Sequence, residues 1–373
     1  MRHLITLLAA FAPLPAAATP PASVAVAFDR SHIRPVLAEG EADRATLRLV
    51  DAGKLDLDRD VSDYLGWKLR NPAFPDQVIT LSLLLSHRSS LIDGDELYLI
   101  PLGVTLKDRM ADPRVWDTRH APGGDWFHYT NLNFPVIASV IERVTGQRFD
   151  AAMQRLVLRP LRLNACFNWG AGCSARTYRR AVVLYRASGE VARDDLHGQP
   201  PACQVYLREG DACDLRSYRL GDNGALFSPQ GGLRISMRDL AKIGQLLARG
   251  GTGFLSRHAM ARLEQPLWGL NGNNGIGEDG AADGFFCSYS LALHRIGNDG
   301  QQCHDDLFGD GQLRLGHAGE AYGLRSGLWF DPLTGRGLAF FTTAVPDASP
   351  GTHSAFTAAE ETVVDRAMRA PFR

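Results

Sequence analysis

The chain of 373 residues carries 40 Lys and Arg against 41 Asp and Glu, which gives a net charge of -1. These charges are spread without long runs, so composition excludes an electrostatic case for binding nucleic acid or an anionic membrane. Hydrophobic residues make up 45% of the chain, an ordinary share for one large or two modest globular domains with a real core.

The first residues have the pattern of an export signal. Met1-Arg2-His3 is a short basic start, residues 4–14 are apolar but too few to span a bilayer, and small residues follow at 16–18. We therefore predict a signal peptide over residues 1–18; a disordered apolar N-terminus is the alternative. No later segment approaches about 18 uninterrupted apolar residues, so the mature chain, residues 19–373, is expected to be soluble, without a transmembrane segment, and periplasmic or secreted.

The six cysteines agree with an oxidising compartment. Many pairings are open to six cysteines, but closing a short loop costs the least entropy. We therefore favour pairs of sequence neighbours: Cys166 with Cys173, Cys203 with Cys213, and Cys287 with Cys303. The rival use of cysteine is a zinc site, but the sequence has neither Cys-x-x-Cys nor His-Glu-x-x-His. We expect no metal and no cofactor.

The first half of the chain predicts one strand followed by helices. Residues 24–28 predict a buried strand, and residues 47–52 predict the tail of a helix that ends at Gly53. Residues 80–86 predict a short helix. Apolar residues at helical spacing predict a longer helix that starts at residue 134 and is terminated by Gly146.

The middle of the chain has a mixed pattern. Residues 164–220 are rich in Cys and Arg, and we predict a surface excursion held by disulfides, inside a helical and Cys-rich region over about residues 60–225. Ser236 and Asp239 then form a capping-box pattern ahead of a helix that ends at Gly250.

The last hundred or so residues alternate strand and turn patterns. Strands are predicted at residues 285–294, 314–316, 324–330 and 338–345, and a closing helix at residues 354–368. Antiparallel strands with helices segregated to their faces predict an α+β fold, an α/β sandwich whose sheet is flanked by N- and C-terminal helices.

The segment Tyr129-Thr130-Asn131 places a phenol and a carboxamide two positions apart. In an extended segment these side chains project to the same side, so one can handle a proton while the other orients a substrate amide. The tripeptide alone is weak evidence, because a Tyr-x-Asn arises by chance in roughly one such chain in four.

Five segments of the sequence are informative as an ordered series, although none of them is specific alone. They are residues 52–58, residues 79–91 with their Ser86-His87-Arg88-Ser89-Ser90 core, Tyr129-Thr130-Asn131, residues 228–233, and Gly316-His317-Ala318-Gly319. This series resembles the serine hydrolases of the penicillin-recognising superfamily, which includes class C beta-lactamases, D-alanyl-D-alanine carboxypeptidases and related esterases. The resemblance runs from about residue 40 to the C-terminal helix, and it implies a beta-lactamase/transpeptidase-like fold with an all-helical subdomain.

The resemblance also implies roles for individual residues. In that family, a serine on a Ser-x-x-Lys helix is acylated, and a tyrosine takes part in the proton transfers. Tyr129 would be the general acid/base and Asn131 the substrate-orienting amide. His317, Ala318 and Gly319 would form a third, substrate-binding wall. The alternative for each is structural: a packed Tyr, a loop-capping Asn and a strand-end His.

The nucleophile motif itself does not occur in the sequence. The residues three positions before the four lysines, Lys54, Lys68, Lys107 and Lys242, are Asp, Leu, Val and Asp. The segment most similar to Ser-x-x-Lys is Ser31-His32-Ile33-Arg34, but a guanidinium stays protonated and cannot serve as a base.

An internal deletion would explain the missing motif. The family pattern places a strand, a loop and the nucleophile helix ahead of residue 49, which needs roughly 20 to 30 residues, whereas only residues 41–48 stand there. We expect that most of a central helix is deleted. No replacement nucleophile is expected at Ser86, Ser89 or Ser90, because neighbouring helical residues do not face one another.

The leading hypothesis is an exported serine hydrolase family member, built for acyl-enzyme hydrolysis of an amide, lactam or ester, that is catalytically impaired in this chain. Whether the chain is an enzyme stays open. The alternative is a non-catalytic extracytoplasmic binding protein for peptidoglycan peptides or similar ligands, and a third reading is a damaged product that folds poorly. Lactam, peptide and ester substrates share these motifs.

Overall fold

The computed structural model describes residues 23–33, 43–277, 284–297 and 302–369. The predicted signal peptide lies outside these residues, and so do residues 34–42, on which part of the proposed deletion falls. None of the described helices combines the length and the hydrophobicity that a bilayer crossing requires.

The described helices have clear local causes. They are α1 (Asp43–Asp51), α2 (Ser62–Leu65), α3 (Leu81–Leu85), α4 (Leu106–Arg109), α5 (Asn133–Thr145), α6 (Phe149–Met153), α7 (Ala175–Tyr178), α8 (Met237–Ala248), α9 (Arg257–Glu264) and α10 (Ala358–Arg369). Thr80 caps α3 by accepting a hydrogen bond from the Leu83 backbone N–H. As predicted, Gly146 ends α5, and it does so in the left-handed conformation at φ 66°. Gly53, at φ 64°, follows the end of α1 in the same way.

One large antiparallel sheet organises the chain. The strands are β1 (Ser23–Phe28), β2 (Phe127–His128), β3 (Cys166–Phe167), β4 (Leu184–Tyr185), β5 (Val191–Arg193), β6 (Leu233–Arg234), β7 (Trp268–Gly269), β8 (Gly275–Ile276), β9 (Ser288–Tyr289), β10 (His294–Ile296), β11 (Arg314–Ala321), β12 (Leu324–Phe330) and β13 (Gly337–Thr342). Seven of them form a sheet in the order β1-β13-β12-β11-β10-β9-β7.

The two faces of this sheet are covered by different helices. Side chains alternate along β12, so Leu328 and Phe330 join the main core on the side of α8, while Trp329 packs with α10 on the other side. Gly244 of α8 has no space for a Cβ, which would collide with Phe28, and the helix therefore lies close to the sheet. This arrangement confirms the α+β sandwich. The N-terminal helix expected on the sheet stays a prediction, because the described residues begin with β1.

The helical region also contains short strand pairs. Strand β2 runs parallel to β8, β3 pairs with β6, and β4 pairs with β5. The three disulfides form as predicted, Cys166–Cys173, Cys203–Cys213 and Cys287–Cys303. Two of them, Cys166–Cys173 and Cys203–Cys213, lie in the excursion, where each closes a short loop.

Several predicted elements differ from the structure in extent. Residues 285–294 hold only the short strands β9 and β10, because Ala292 adopts a left-handed conformation at φ 50° that interrupts the run. Strand β11 runs on to Ala321, since β12 pairs with it along that whole length. The closing helix begins only at Ala358, because the backbone N–H groups of residues 352–354 bind the carboxylate of Glu361 instead.

Only half of the predicted capping box forms at α8. Ser236 accepts a hydrogen bond from the Asp239 backbone N–H at 3.2 Å. The Asp239 carboxylate, however, pairs with Lys242 at 2.5 Å and accepts from the Asn164 backbone N–H at 3.0 Å. A neighbour on the same helix, Lys242, and the distant Asn164 backbone therefore take the place of the expected cap partner.

Candidate active site

The loop that carries Tyr129 lies against β11, the strand that contains the Gly316-His317-Ala318-Gly319 segment. Tyr129 follows β2 and precedes α5, and its backbone N–H donates to the Ile276 carbonyl at 3.2 Å. Its ring centroid lies 5.9 Å from that of His317. The structure thus brings together two residues that are 188 positions apart and that the sequence assigned to one site.

The carboxylate of Asp93 holds the loop in place. It accepts hydrogen bonds from the Thr130 hydroxyl, from the Asn131 backbone N–H at 2.8 Å, from the Asn131 side-chain amide at 2.9 Å, and from the Leu132 backbone N–H at 2.8 Å. Asp93 is 9% exposed, and a buried carboxylate of this kind is stable only with such partners. The Asn131 amide is therefore anchored to the protein, and its substrate-orienting role stays a prediction.

His87 supports the same loop from below. Its Nδ1 accepts a hydrogen bond from the Thr130 backbone N–H at 3.0 Å, and its carbonyl accepts one from the His128 backbone N–H at 3.0 Å. Its ring stacks on Tyr129 with centroids 4.4 Å apart and planes at 20°. Because Nδ1 is an acceptor, the neutral ring carries its proton on Nε2.

The buried setting keeps His87 neutral. The side chain is 1% exposed, and burial lowers its pKa well below the ordinary value of 6.5, with smaller contributions from His317 and His128. His87 also adopts a left-handed backbone conformation at φ 55°, which non-glycine residues rarely occupy. The imidazole is therefore a fixed, uncharged platform beneath the phenol.

A second ring covers the opposite face of Tyr129. Phe286 stacks on it with centroids 5.1 Å apart and planes at 11°. Phe286 directly precedes Cys287, which the disulfide to Cys303 ties down. The phenol of Tyr129 is thus held between His87 and Phe286 and has a defined plane.

His317 is held on both of its ring nitrogens. Its Nδ1 lies beside the Ala318 carbonyl and donates to it, so Nε2 accepts from the Tyr289 hydroxyl at 2.8 Å. Tyr289 is fully buried and meets His87 edge to face, with centroids 5.1 Å apart. The His317 ring beside Tyr129 is therefore fixed in orientation, and its nitrogens are occupied by hydrogen bonds instead of being available for proton transfer.

Strand β11 offers backbone groups beside these rings. Strand β10 pairs only with residues 314–316 of β11, whereas β12 pairs with residues 315–321. In the described part of the chain, no strand pairs with the edge of residues 318–321 that faces away from β12; these residues include Ala318 and Gly319. A Cβ on Gly319 would collide with the Ser326 hydroxyl in its present rotamer, so glycine leaves room for that side chain.

The serine hydroxyls near the loop have other partners. Ser86 donates to the Ser82 carbonyl at 2.8 Å, Ser89 donates to Asn133 Oδ1 at 2.7 Å, and Ser90 accepts from Asn71 Nδ2 at 2.7 Å. All three serines are buried. Ser31, in the other motif considered, lies exposed in the turn after β1.

The lysines lie elsewhere on the surface. Lys54, Lys68 and Lys107 are exposed, and Lys242 pairs with Asp239 on α8. Within the described ranges, no group of three or more His, Cys, Asp or Glu side chains is placed to hold a metal ion.

Two supports of the loop, Asp93 and Phe286, had no local sequence signal. The partners of Asp93 lie 37 to 39 positions further along the chain. Phe286 lies more than 150 positions from Tyr129. His87 was visible as part of the Ser86-His87-Arg88 motif, but its stacking under Tyr129 depends on the tertiary fold.

A sandwich fold whose strand β11 faces a Tyr-x-Asn loop is the arrangement that the resemblance to the penicillin-recognising superfamily implies. The sequence profile of the Beta-lactamase family matches residues 45–361, and the chain belongs to that family.

Known proteins resemble the chain over different lengths. It is 28% identical over 267 residues to the esterase EstB from Burkholderia gladioli, a match that covers 64% of this chain and 65% of EstB, slightly less than two thirds of that protein. The octameric penicillin-binding protein homologue from Pyrococcus abyssi matches the structure with a TM-score of 0.60 at 18% identity, over 94% of this chain and 73% of that one. D-amino acid amidase from Ochrobactrum anthropi matches with a TM-score of 0.60 at 15% identity, over 93% and 92%. The two structural matches show the fold alone.

Replacing Asp93 with Asn should destabilise the protein by about 3 kcal/mol, because the new NH₂ group would face N–H donors and the charged acceptor would be lost. Urea unfolding at pH 7 measures the change. The matched control is Asp95→Asn, which alters an exposed carboxylate two positions away and should leave the unfolding midpoint unchanged. Equal unfolding free energies for the two variants would contradict the anchoring role of Asp93.

The buried His87 should make stability depend on pH. Its folded pKa is lowered, so below about pH 6.5 the unfolded chain binds a proton that the folded chain does not. Its contribution to stability is full above that pH and is lost as the pH falls, by up to about 1.4 kcal/mol per pH unit. Urea unfolding of His87→Gln between pH 7.5 and 5.5 should show a correspondingly shallower loss. His258→Gln, which removes an exposed imidazole on α9, is the control, and identical pH slopes for the two variants would refute the assignment.

Proposed function

We propose that this chain is an exported serine-hydrolase relative that still binds an acyl ligand between Tyr129 and His317 but does not form an acyl-enzyme. One observation carries the proposal: every hydroxyl of the Ser86–Ser90 segment is buried and hydrogen-bonded to another group. A nucleophilic serine needs an exposed hydroxyl within hydrogen-bond reach of a base.

The nearby histidines do not supply that base. His87 Nδ1 accepts the Thr130 backbone N–H, and its other nitrogen carries the proton in the neutral ring. His317 Nε2 accepts the Tyr289 hydroxyl. Each ring is committed to holding the protein together, so Tyr129 is the remaining candidate for acid/base chemistry at this site.

An internal deletion accounts for the loss of the nucleophile. The resemblance implies a second strand and a nucleophile helix ahead of α1, and a connection of that kind needs roughly 20 to 30 residues. The chain passes from residue 33, after β1, to α1 at Asp43 with nine residues between them. We infer that α1 is what remains of the end of that helix.

Ligand binding is the activity that such a site can keep. The edge of residues 318–321 that faces away from β12 pairs with no described strand, and it can form backbone hydrogen bonds with an extended amide chain. The names of the similar proteins, an esterase, a penicillin-binding protein homologue and an amidase, all concern acyl compounds. We therefore propose peptidoglycan peptides or similar peptides as ligands, and the three disulfides suit an extracytoplasmic location.

Treatment with a fluorophosphonate probe should leave the intact mass of the protein unchanged, because no activated serine is present to attack phosphorus. Intact-protein mass spectrometry measures the adduct, with an active serine hydrolase as the positive control. Any stoichiometric adduct on the wild-type protein would overturn the proposed loss of the nucleophile, and replacement of Ser86, Ser89 and Ser90 by Ala would show whether one of these serines carries it. A broad, non-cooperative thermal transition would instead identify a poorly folded product.

A further inference from the structure

A cleft lies where the C-terminal end of α8 meets the turn after β1 and the turn that connects β12 to β13. Its volume is about 540 Å³, and it is lined by residues 247–250, Arg30, Thr252, Glu264 and Pro332. None of these residues belongs to the candidate site around Tyr129. The volume is in the range of pockets that bind small molecules, about 300 to 1,000 Å³.

The guanidinium group of Arg30 is held in this cleft by backbone carbonyls. Its Nε donates to the Ala248 carbonyl at 3.1 Å, and Nη2 donates to the Leu333 carbonyl at 2.9 Å. The side chain also lies against Gly335, where a Cβ would collide with Arg30 Nε. The remaining terminal nitrogen, Nη1, donates to no described residue. The charge is therefore fixed in position and keeps an unused donor.

Arg249 is held in a similar way. Its Nε donates to the carbonyl of Arg30, and neither of its terminal nitrogens has a partner within the described ranges. Carbonyl groups orient both guanidinium groups but carry no net charge, and neither arginine forms an ion pair with a described carboxylate. The cleft therefore retains two positive charges with free N–H donors.

Glu264 adds a negative charge to the same cleft. It is the last residue of α9 and is half-buried, and its carboxylate has no hydrogen bond or ion pair with any residue that the structure describes. Only its backbone carbonyl is used, by Ser290 and Arg295. Burial raises the pKa of Glu264, and the positive charge of Arg295 offsets only part of that effect. This direction is expected for a carboxylate without a close partner.

Opposite charges thus line one cleft without touching. An ion pair needs a nitrogen–oxygen distance of at most about 4 Å, and in the described part of the chain Glu264 forms none with Arg30 or Arg249. A free anion between them would meet the Glu264 charge, and a free cation would meet the two arginines. A molecule that carries both charges avoids both conflicts. With a hydrogen bond of about 2.9 Å at each end, an α-amino acid bridges groups that lie about 8 to 9 Å apart.

We propose that this cleft binds a small zwitterion, a free α-amino acid, with its carboxylate on Arg30 and Arg249 and its ammonium group on Glu264. Each end then forms charge-assisted hydrogen bonds, and the planar guanidinium groups suit a carboxylate. The site is separate from the groove between Tyr129 and His317 and does not depend on the peptide-binding role proposed for that groove.

Ligand-observed NMR titrations at pH 7 test the proposal with alanine, with N-acetylalanine, which lacks the cation, and with alaninamide, which lacks the anion. Wild type should bind alanine with a Kd of about 1 mM or lower, and each of the other two at least about 10-fold more weakly, because each loses one charge-assisted pair. Glu264→Gln should bind alanine and N-acetylalanine equally. Arg249→Gln should reduce the preference for alanine over alaninamide at least about 3-fold.

Matched controls separate the cleft from general charge effects. Arg257→Gln and Glu209→Gln each remove one charge from an exposed position outside the cleft and should keep both preferences. Equal binding of the three probes by wild type, or no binding of alanine up to about 10 mM, would overturn the proposal. Preferences that survive in both cleft variants would also overturn it, because the binding would then lie elsewhere. The comparison of the three probes on wild type holds even where urea unfolding shows that a variant has not folded.

Discussion

The hydrogen bonds to the carboxylate of Asp93 fix the candidate site. They join the segment after α3 to the Thr130–Leu132 turn at distances of 2.8 to 2.9 Å for the three N–H donors. A buried carboxylate is costly to desolvate and is stable only when its acceptor positions are filled. The turn can therefore adopt one conformation, and that conformation sets where α5 begins and where the Tyr129 phenol stands.

The rest of the site follows from that fixed turn. With its backbone held, Tyr129 lies between the rings of His87 and Phe286 and beside His317. His87 can remain unprotonated because its Nδ1 accepts the Thr130 N–H in an apolar setting. The Nδ1 atom of His87 and both ring nitrogens of His317 have partners inside the protein, which suits a rigid binding wall. The same hydrogen bonds occupy the acceptor nitrogens of His87 and His317, so neither ring serves as a base for Ser86, Ser89 or Ser90, and this is the basis for proposing that no acyl-enzyme forms.

Local signals predicted much of the fold, and distant contacts decided the rest. The sequence was sufficient for the helices α3 and α5, which have a capping residue and a terminating glycine. It was also sufficient for the bounds of β12, which follow from its strand pattern, and for the disulfide pairs, which close short loops. Tyr129 and His317 were brought to one site through the ordered resemblance. Asp93 and Phe286 escaped prediction because their partners are remote in sequence. The extension of β11 to Ala321 also escaped, since its small residues show no strand alternation and only pairing with β12 makes it a strand.

We propose that Tyr129 occupies the general acid/base position of the family while no activated serine lies beside it. The most direct measurement is the hydrolysis rate of p-nitrophenyl acetate with wild type and with Tyr129→Phe, each compared with buffer. We predict that both proteins give the buffer rate, because without a serine the phenol has no proton transfer to assist. A wild-type rate well above buffer that falls at least about 10-fold in Tyr129→Phe would contradict the claim, since it would show a working acyl-transfer site.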